Sequence, residues 1–464
     1  GGSFDATASG TLANGDKVVV NADGTVSVVY STSGPAFGTT RAVDNDHVYK
    51  TVIAYVTNTD KVVFVYHRHT SWGGGIKASV GTVSGASISI GTEVTVSNSN
   101  PYDSALDVVY DSNTNKVVVV FSDLGSNQLG KVVVGTISGT SLTFGSSIDF
   151  HTGIQVKRLT TTFDSNSNKV VIGYSEDTFY SKARAIVGTV STVANNRTMT
   201  FGSPTVFLNN RTEDLDMTFD SNSNKVVIGY DDAANSNYGT AIVGTVSGTS
   251  ISFGTPTVFT SGYTDYIGTV FDSNSNKVVI VSRNSGGKAI VGTISGTSIS
   301  FGSEETFSSN NVYRIVATFD SIANKVVIAH ADGGDSSKGK VVLGTVSGTG
   351  IGFNSALTFD STNSGGTISV AFVANSNKAV IHWHSTSIHS DGSPVTRVYT
   401  TQPASTTNLT TENFVGIADA SYSSGTTATI QTAGAVDDAQ SGLTAGQAYF
   451  LKGDGTLNTI PDTP

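Results

Sequence analysis

Short apolar runs recur along this chain at a nearly constant interval. Seven lysines, Lys61, Lys116, Lys169, Lys225, Lys277, Lys325 and Lys378, each open a run such as KVVIGY, at spacings of 55, 53, 56, 52, 48 and 53 residues. Six residues before each lysine stands an aromatic: Tyr55, Tyr110, Phe163, Phe219, Phe271, Phe319 and Phe372. Downstream, GTVSG or a close variant begins at Gly81, Gly135, Gly188, Gly244, Gly292 and Gly344, followed by a run like ISFGTPTVF. Offsets that coincide this often define a structural repeat.

Each repeat divides into four short strands: one ending at the aromatic, one after the lysine, one ending at the GT(V/I)S run and one through the Phe-Gly pair. Four strands per unit, at a period of about fifty residues, make a propeller blade. The runs are apolar on both sides, as expected of sheets sandwiched between neighbours. A solenoid would need polar capping repeats instead. The pair FG or IG begins at Ile90, Phe144, Phe201, Phe253 and Phe301, and Phe353 is followed by Asn354, which accounts for six repeats. The seventh ends its third strand near 395–401 without a fourth, while AFGTTRAV at 36–43 matches SFGTPTVF at 252–259. We therefore expect an all-β fold: a seven-bladed β-propeller of four-stranded blades over 35–403. Residues 35–43 would complete the last blade and leave no open sheet edge.

Residues 1–30 and 404–464 remain outside the ring. KVVVNADGTVSVV and AYFLKGDGTLNT each place an Asp-Gly turn, Asp23-Gly24 or Asp454-Gly455, between β-rich arms, a hairpin signal. A small β-module assembled from the N- and C-terminal segments follows, with a docking or stalk role as its natural reading. The run NFVGIADASYSSGTTATIQTAGAVDDAQSGLTAGQAYFLKGDGTLNT resembles short β-domains of tailed-phage virion proteins. The repeats, in turn, are similar to those of fibre-like or appendage proteins of marine phages. The resemblance implies a structural virion or cell-surface protein and carries over no catalytic residue.

Composition narrows the function. Only 13 % of residues are charged and the net charge is −10, which argues against a nucleic-acid groove or an anionic lipid surface. There is no cysteine, so neither disulfides nor thiolate metal sites contribute. No apolar stretch approaches the roughly 18 residues of a membrane span. The chain opens at Gly1 without a leader, which suggests a processed product or an excerpt of a longer polypeptide.

Comparing the repeats with one another identifies a candidate binding face. The loop between strands one and two is DSNSNK in three repeats, and the loop between strands three and four is SGTS or similar in most. The opposite end carries the loops from strand two to three and from repeat to repeat, and there the repeats diverge, from HRHTSWGGGIK to SRNSGGK. Binding loops vary where the scaffold does not. Five residues before the aromatic stand Lys50, Ala105, Arg158, Asp214, Tyr266, Arg314 and Thr367, which should ring the channel mouth. Arg211 and Glu213 lie nearby, and Trp72, Tyr102, Tyr180, Tyr238, Tyr263, Tyr266 and Tyr313 fall in the variable loops. Aromatics with sparse charge suit sugar stacking or protein contact better than phosphate. Trp383 aligns with Tyr66, Phe121, Tyr174 and Tyr230 and reads as core between blades.

Other chemistries fit less well. His67 and His69 share a strand face, as do His382 and His384, but equivalent positions in adjacent blades stand about 10 Å apart, too far for one metal. DSNSN has one carboxylate and no distal glutamate, so turn chemistry outweighs calcium. Sialidase-type Asp boxes are absent from the sequence, and no paired carboxylates recur at a readable glycosidase separation. We expect no cofactor, no metal and no enzymatic activity. The expected function is a structural or adhesive appendage protein on a virion surface or outside the cell. Its propeller would contact a host-surface polysaccharide or another coat component, and its terminal module other structural proteins in an oligomeric assembly. A purely structural spacer and a glycan depolymerase are the alternatives.

Overall fold

The computed structural model describes residues 1–464 except 1, 30, 33–34, 102–104, 126–128, 177–180, 365, 387–391, 402–405, 408, 411–412, 433–439, 441–442, 444–448, 452–455 and 460–464, and except the side chains of 31–32, 72 and 406–407. The chain divides into two units: Phe37–Thr401, and Gly1–Ala36 together with Gln402–Pro464.

The larger unit repeats one antiparallel sheet. In sheet IV the strands Leu215–Asp220, Lys225–Asp232, Tyr238–Ser247 and Ser250–Phe253 pair in sequence order, and Thr257–Tyr263 pairs beside the last of them on Tyr238–Ser247. The four expected strands form a continuous ladder, and a fifth short strand lies off that path. The run through the Phe-Gly pair breaks at Gly254-Thr255-Pro256, and both halves then bond to the same third strand. Sheets I, II, III, V and VI repeat the pattern, with first strands Val48–Val56, Leu106–Asp111, Val156–Asp164, Asp265–Asp272 and Val312–Asp320. Sheets I, II, V and VI break at the same place without a proline. Sheet VII starts with Ile368–Val373, Lys378–Ser385 and Ser393–Thr400 and is completed by Ala36–Phe37 and Arg41–Ala42, with Val395 opposite Ala42.

First strands of consecutive sheets pack against each other from I to VII, and that of sheet VII packs against that of sheet I. The Phe-Gly glycine explains how closely neighbours approach. A Cβ on Gly254 of sheet IV would lie 1.9 Å from the Thr297 carbonyl oxygen of sheet V, and one on Gly38 of sheet VII would lie 1.7 Å from the Ala86 carbonyl oxygen of sheet I. Only glycine fits there. The second strands are the most deeply buried, and Tyr66, Tyr174, Tyr230 and Trp383 fill the space between sheets. The Trp383 indole N–H donates to the Asp360 carboxylate at 2.6 Å, so this ring has a structural partner.

The constant turns have a local cause. The residue before each repeat lysine, Asp60, Asn115, Asn168, Asn224, Asn276, Asn324 or Asn377, has φ between 50° and 57°. Asn and Asp tolerate this left-handed region better than other side chains. In the DSNSN turns the aspartate closes the loop on itself. Asp220 Oδ1 accepts from the Asn222 and Ser223 amides at 2.8 and 3.0 Å, and Oδ2 from the Ser223 hydroxyl at 2.7 Å.

The smaller unit is a sheet in the order Ser3–Thr7, Thr427–Gln431, Phe414–Ala418, Lys17–Val20, Val26–Val28. A parallel bridge from Ala8 to Val26 brings its outer strands together over Ala8, Leu12, Val18, Val26, Ala418, Ala428 and Ile430. Gly24 takes φ 80° in the turn, and Asp23 Oδ1 accepts from the Thr25 amide at 3.0 Å. Phe450–Leu451 pairs with Leu457–Asn458, while Asp454-Gly455 lies outside the described residues. Among the described residues no helix is long and apolar enough to cross a membrane.

Candidate functional site

The end of the larger unit opposite the DSNSN turns gathers charge on the inner strands. Lys50 of sheet I lies within electrostatic reach of Asp107, Arg314, Asp214 and Arg158, from sheets II, VI, IV and III. Charges from so many sheets can meet only where the first strands face a common axis. Lys50 is half-buried. Burial is the main cause lowering its pKa; the Arg314 and Arg158 charges act in the same direction, and Asp107 and Asp214 oppose them. Lys50 makes no hydrogen bond or ion pair with any described residue, which is unusual for a lysine so enclosed.

The other positions of this ring differ in kind. Ala105 is buried, and Thr367 is hydrogen-bonded to Thr51, hydroxyl to hydroxyl at 2.9 Å. Arg158 is held by Glu213, donating to its carbonyl and, at 3.2 Å, to its carboxylate, while the exposed Arg211 also pairs with Glu213. Asp214 accepts from the Tyr266 amide, and burial, opposed by Arg158, pushes its pKa up to about 7. Its own amide donates to Asp231 at 2.7 Å, which fixes the backbone that presents it.

Two residues further along the same strand face stand Asp107 and Asp216, which sequence reasoning missed. Asp107 accepts from its neighbour's amide, Val108, at 2.8 Å and from the Thr161 amide of sheet III at 2.8 Å. Asp216 accepts from the Thr160 hydroxyl of sheet III at 2.9 Å and from the Thr269 amide of sheet V at 2.7 Å. These carboxylates satisfy inner-strand amides that have no partner strand on the axial side. Burial, reinforced by the Asp216 charge, raises the Asp107 pKa to about 7, and burial likewise raises that of Asp216. The available signal was a carboxylate inside each otherwise apolar run, LDVVYD and LDMTFD.

Sheets V and VI contribute an aromatic platform. Tyr266 and Tyr313 meet edge to face with centroids 6.0 Å apart, and the Arg283 guanidinium lies 4.7 and 5.0 Å from their centroids. Asp265 holds Arg283 through both oxygens, and Arg314 approaches Tyr266 at 5.4 Å. Tyr266 and Arg314 have φ of 49° and 55°, a costly conformation for large side chains. Strain of this kind concentrates at functional sites.

The remaining candidates are dispersed. Tyr238 and Tyr263 pair in register at the end of sheet IV, and Tyr263 is 63 % exposed. Trp72 ends a short 3-10 turn, Thr70–Trp72, capped by His69, but its side chain is not described. Tyr102 and Tyr180 lie outside the described residues. His47, absent from the sequence-level candidates, stacks on His69 at 4.9 Å and lies 5.8 Å from His384, while His67 bonds Asn100 at 2.7 Å. Among the described residues no three His, Asp or Glu side chains are placed to hold a metal ion.

Neither a family model nor a curated protein matches the chain. Solved structures do. The BP39L lectin from Burkholderia pseudomallei aligns with a TM-score of 0.57 at 13 % identity, over 78 % of this chain and 99 % of that one. Sqt1 from Chaetomium thermophilum gives 0.46 at 11 % identity, over 76 % and 85 %. A mutant of AofleA from Arthrobotrys oligospora gives 0.45 at 10 % identity, over 74 % and 92 %. The all-β architecture of repeated antiparallel sheets is therefore shared with the BP39L structure, a β-propeller.

Proposed function

We propose that this chain is a non-enzymatic carbohydrate-binding protein whose seven repeated sheets are the blades of a closed propeller. The glycan would bind at the variable end. The observation that carries this reading is the Tyr266–Tyr313 platform, held by Arg283 and built on two strained backbone positions at the edge of the charged ring. Aromatic faces beside fixed polar groups suit the alternating apolar and hydroxyl faces of a sugar. One protein of similar fold, BP39L, is named a lectin. The smaller unit serves in this reading as the attachment piece of a virion-surface or extracellular protein, in keeping with the resemblance of its C-terminal run.

A glycan array tests the proposal. Wild type should bind a subset of glycans without releasing reducing sugar, and Tyr313→Ala should weaken that binding by about tenfold, or 1.4 kcal/mol. A silent array would favour the structural spacer, and sugar release would favour the depolymerase.

A further inference from the structure

The junctions between neighbouring sheets are not alike. Among the described residues, the apolar cluster joining sheet VII to sheet I holds seven buried side chains, against nine to seventeen at each of the other six junctions. Two polar side chains stand here where the other sheets are apolar. His382 of sheet VII is fully buried with its ring 4.7 Å from that of Phe64 in sheet I, and its equivalents are Val65, Val120, Gly173, Gly229, Val281 and Ala329. Ser79 pairs directly with Phe64 across the ladder and so shares its face. It is buried too, where sheets II to VI carry Val133, Ile186, Ile242, Ile290 and Val342.

Both side chains keep an unsatisfied atom. His382 Nδ1 bonds the Val395 carbonyl at 2.9 Å, which leaves Nε2 without a partner among the described residues, and the Ser79 hydroxyl has none either. Because Nδ1 donates to a carbonyl, the neutral ring carries its lone pair on Nε2, and a proton must arrive there. Valine at either position would hold this junction as it holds the others, so the polar pair costs stability.

Other titratable groups frame His382 at both ends of the junction. At the variable end His47, on the segment that runs from the closing strand of sheet VII into sheet I, stacks on His69 at 4.9 Å and lies 5.8 Å from His384 of sheet VII. Tyr49 lies 4.6 Å from His69, and Arg68 pairs with Asp44, Asp46 and Glu93, a surplus of carboxylate that moderates the charging of this stack. At the constant end Asp60 accepts from the Tyr55 hydroxyl at 3.0 Å and, across the junction, from the Ser376 hydroxyl at 2.9 Å. His382 has no carboxylate in support: burial lowers its pKa, opposed only by the Val395 carbonyl. The buried or half-buried histidines elsewhere are better provided for. His151 and His330 have Glu176 and Asp332 acting on them, and His67 bonds Asn100 at 2.7 Å.

We propose that the stack of sheets opens between sheets VII and I on acidification, with His382 as the latch and residues 43–47 keeping the two sheets tethered. Above its ordinary pKa of 6.5 the imidazole is neutral and the junction holds. As pH falls from 6.5 toward 3, the separated junction, in which His382 meets water, takes up a proton that the closed one resists, and opening is favoured. The device is independent of what the variable end binds.

The chain has no cysteine, so one introduced thiol reports on one junction. The test is the rate at which dithiodipyridine labels Ser79→Cys and, at the equivalent position between sheets III and IV, Ile242→Cys. The full chain is used at about pH 7.5 and about pH 4.5, and each rate is divided by that of a cysteine peptide at the same pH. By this ratio Ser79→Cys should label about tenfold or more faster in acid, while Ile242→Cys should not change. Adding His382→Asn, which keeps a donor for the Val395 carbonyl, should abolish the acid effect. A parallel rise at both positions would mean unfolding of the whole unit and would overturn the proposal. No acid effect at Ser79→Cys, or one that survives His382→Asn, would overturn it equally. Should a variant not fold, hydrogen exchange of wild type, corrected for the intrinsic rate, decides: acid should loosen 48–84 and 368–400 while 215–247 keeps its protection, and uniform loosening is the contrary result.

Discussion

The two ends of the repeated sheets solve opposite problems with the same residue type. At the constant end, aspartates such as Asp220 turn both oxygens onto their own loop, and the asparagine, or in sheet I Asp60, before each lysine takes the left-handed backbone that closes it. At the variable end, Asp107 and Asp216 reach across to inner strands of other sheets, and Asp214 accepts from the Tyr266 amide of the next sheet. The left-handed positions there include Tyr266 and Arg314, residues poorly suited to it, beside serines and an asparagine in the loops from strand two to three. One end is locally consistent and the other departs from local rules, as expected where binding rather than folding sets the sequence.

Substitutions at the two ends should therefore differ in sign as well as size. The largest effect is expected just behind the constant turns. Gly254→Val would force a side chain into the Thr297 carbonyl, and urea unfolding should register a loss of about 3 kcal/mol. Next, Asn224→Ala should cost about 1 to 2 kcal/mol by the same measurement, because alanine pays the left-handed penalty. Asn224→Gly should cost nothing.

At the variable end the expected signature is a pH dependence. Asp107 has a folded pKa near 7, above its ordinary 3.8, so the stability it contributes is full below 3.8 and is lost as pH rises through 7. Asp107→Asn should thus gain on wild type between about pH 4 and about pH 8 when melting temperatures are compared. His382 supplies the opposite slope. Burial lowers its pKa from 6.5 to about 3, so its contribution is present above 6.5 and is lost as pH falls toward 3. His382→Asn should gain on wild type only on that acid limb. Parallel pH curves for wild type and both variants would contradict the assignment of these groups. Smallest of all, Tyr263→Ser, on an exposed strand end, should leave stability within about 0.5 kcal/mol in the same urea assay.

The repeat was legible because turn chemistry and apolar runs are local. The asparagine or aspartate before each lysine answers to neighbours a few residues away, and the Phe-Gly pair and the apolar second strand recur at nearly fixed offsets from it. The offset that singles out Lys50, Arg158, Asp214 and Arg314 was legible for the same reason, since equivalent positions of equivalent strands must face alike. What the offset could not supply was pairing across sheets. Asp107 and Asp216 look like ordinary strand residues until sheets III and V bring them amides to accept from. His47 acquires a role only when sheet VII sets His384 beside it. The fifth strand was hidden because the short break after the Phe-Gly pair reads as an irregularity within one strand rather than a division into two.

Sheet VII joins Arg41–Ala42 to Ser393–Thr400. A ribosome releases the first of these long before the second, so the nascent chain carries a short, unpaired β-segment through nearly the whole of synthesis. Until Ser393–Thr400 emerges, the growing stack of sheets has one exposed edge at its leading end and no partner for the early strand. Commitment to the native ring is then a late, long-range event rather than a gradual one. Truncated products would lack that step, and a protease would meet them as open stacks with accessible edges.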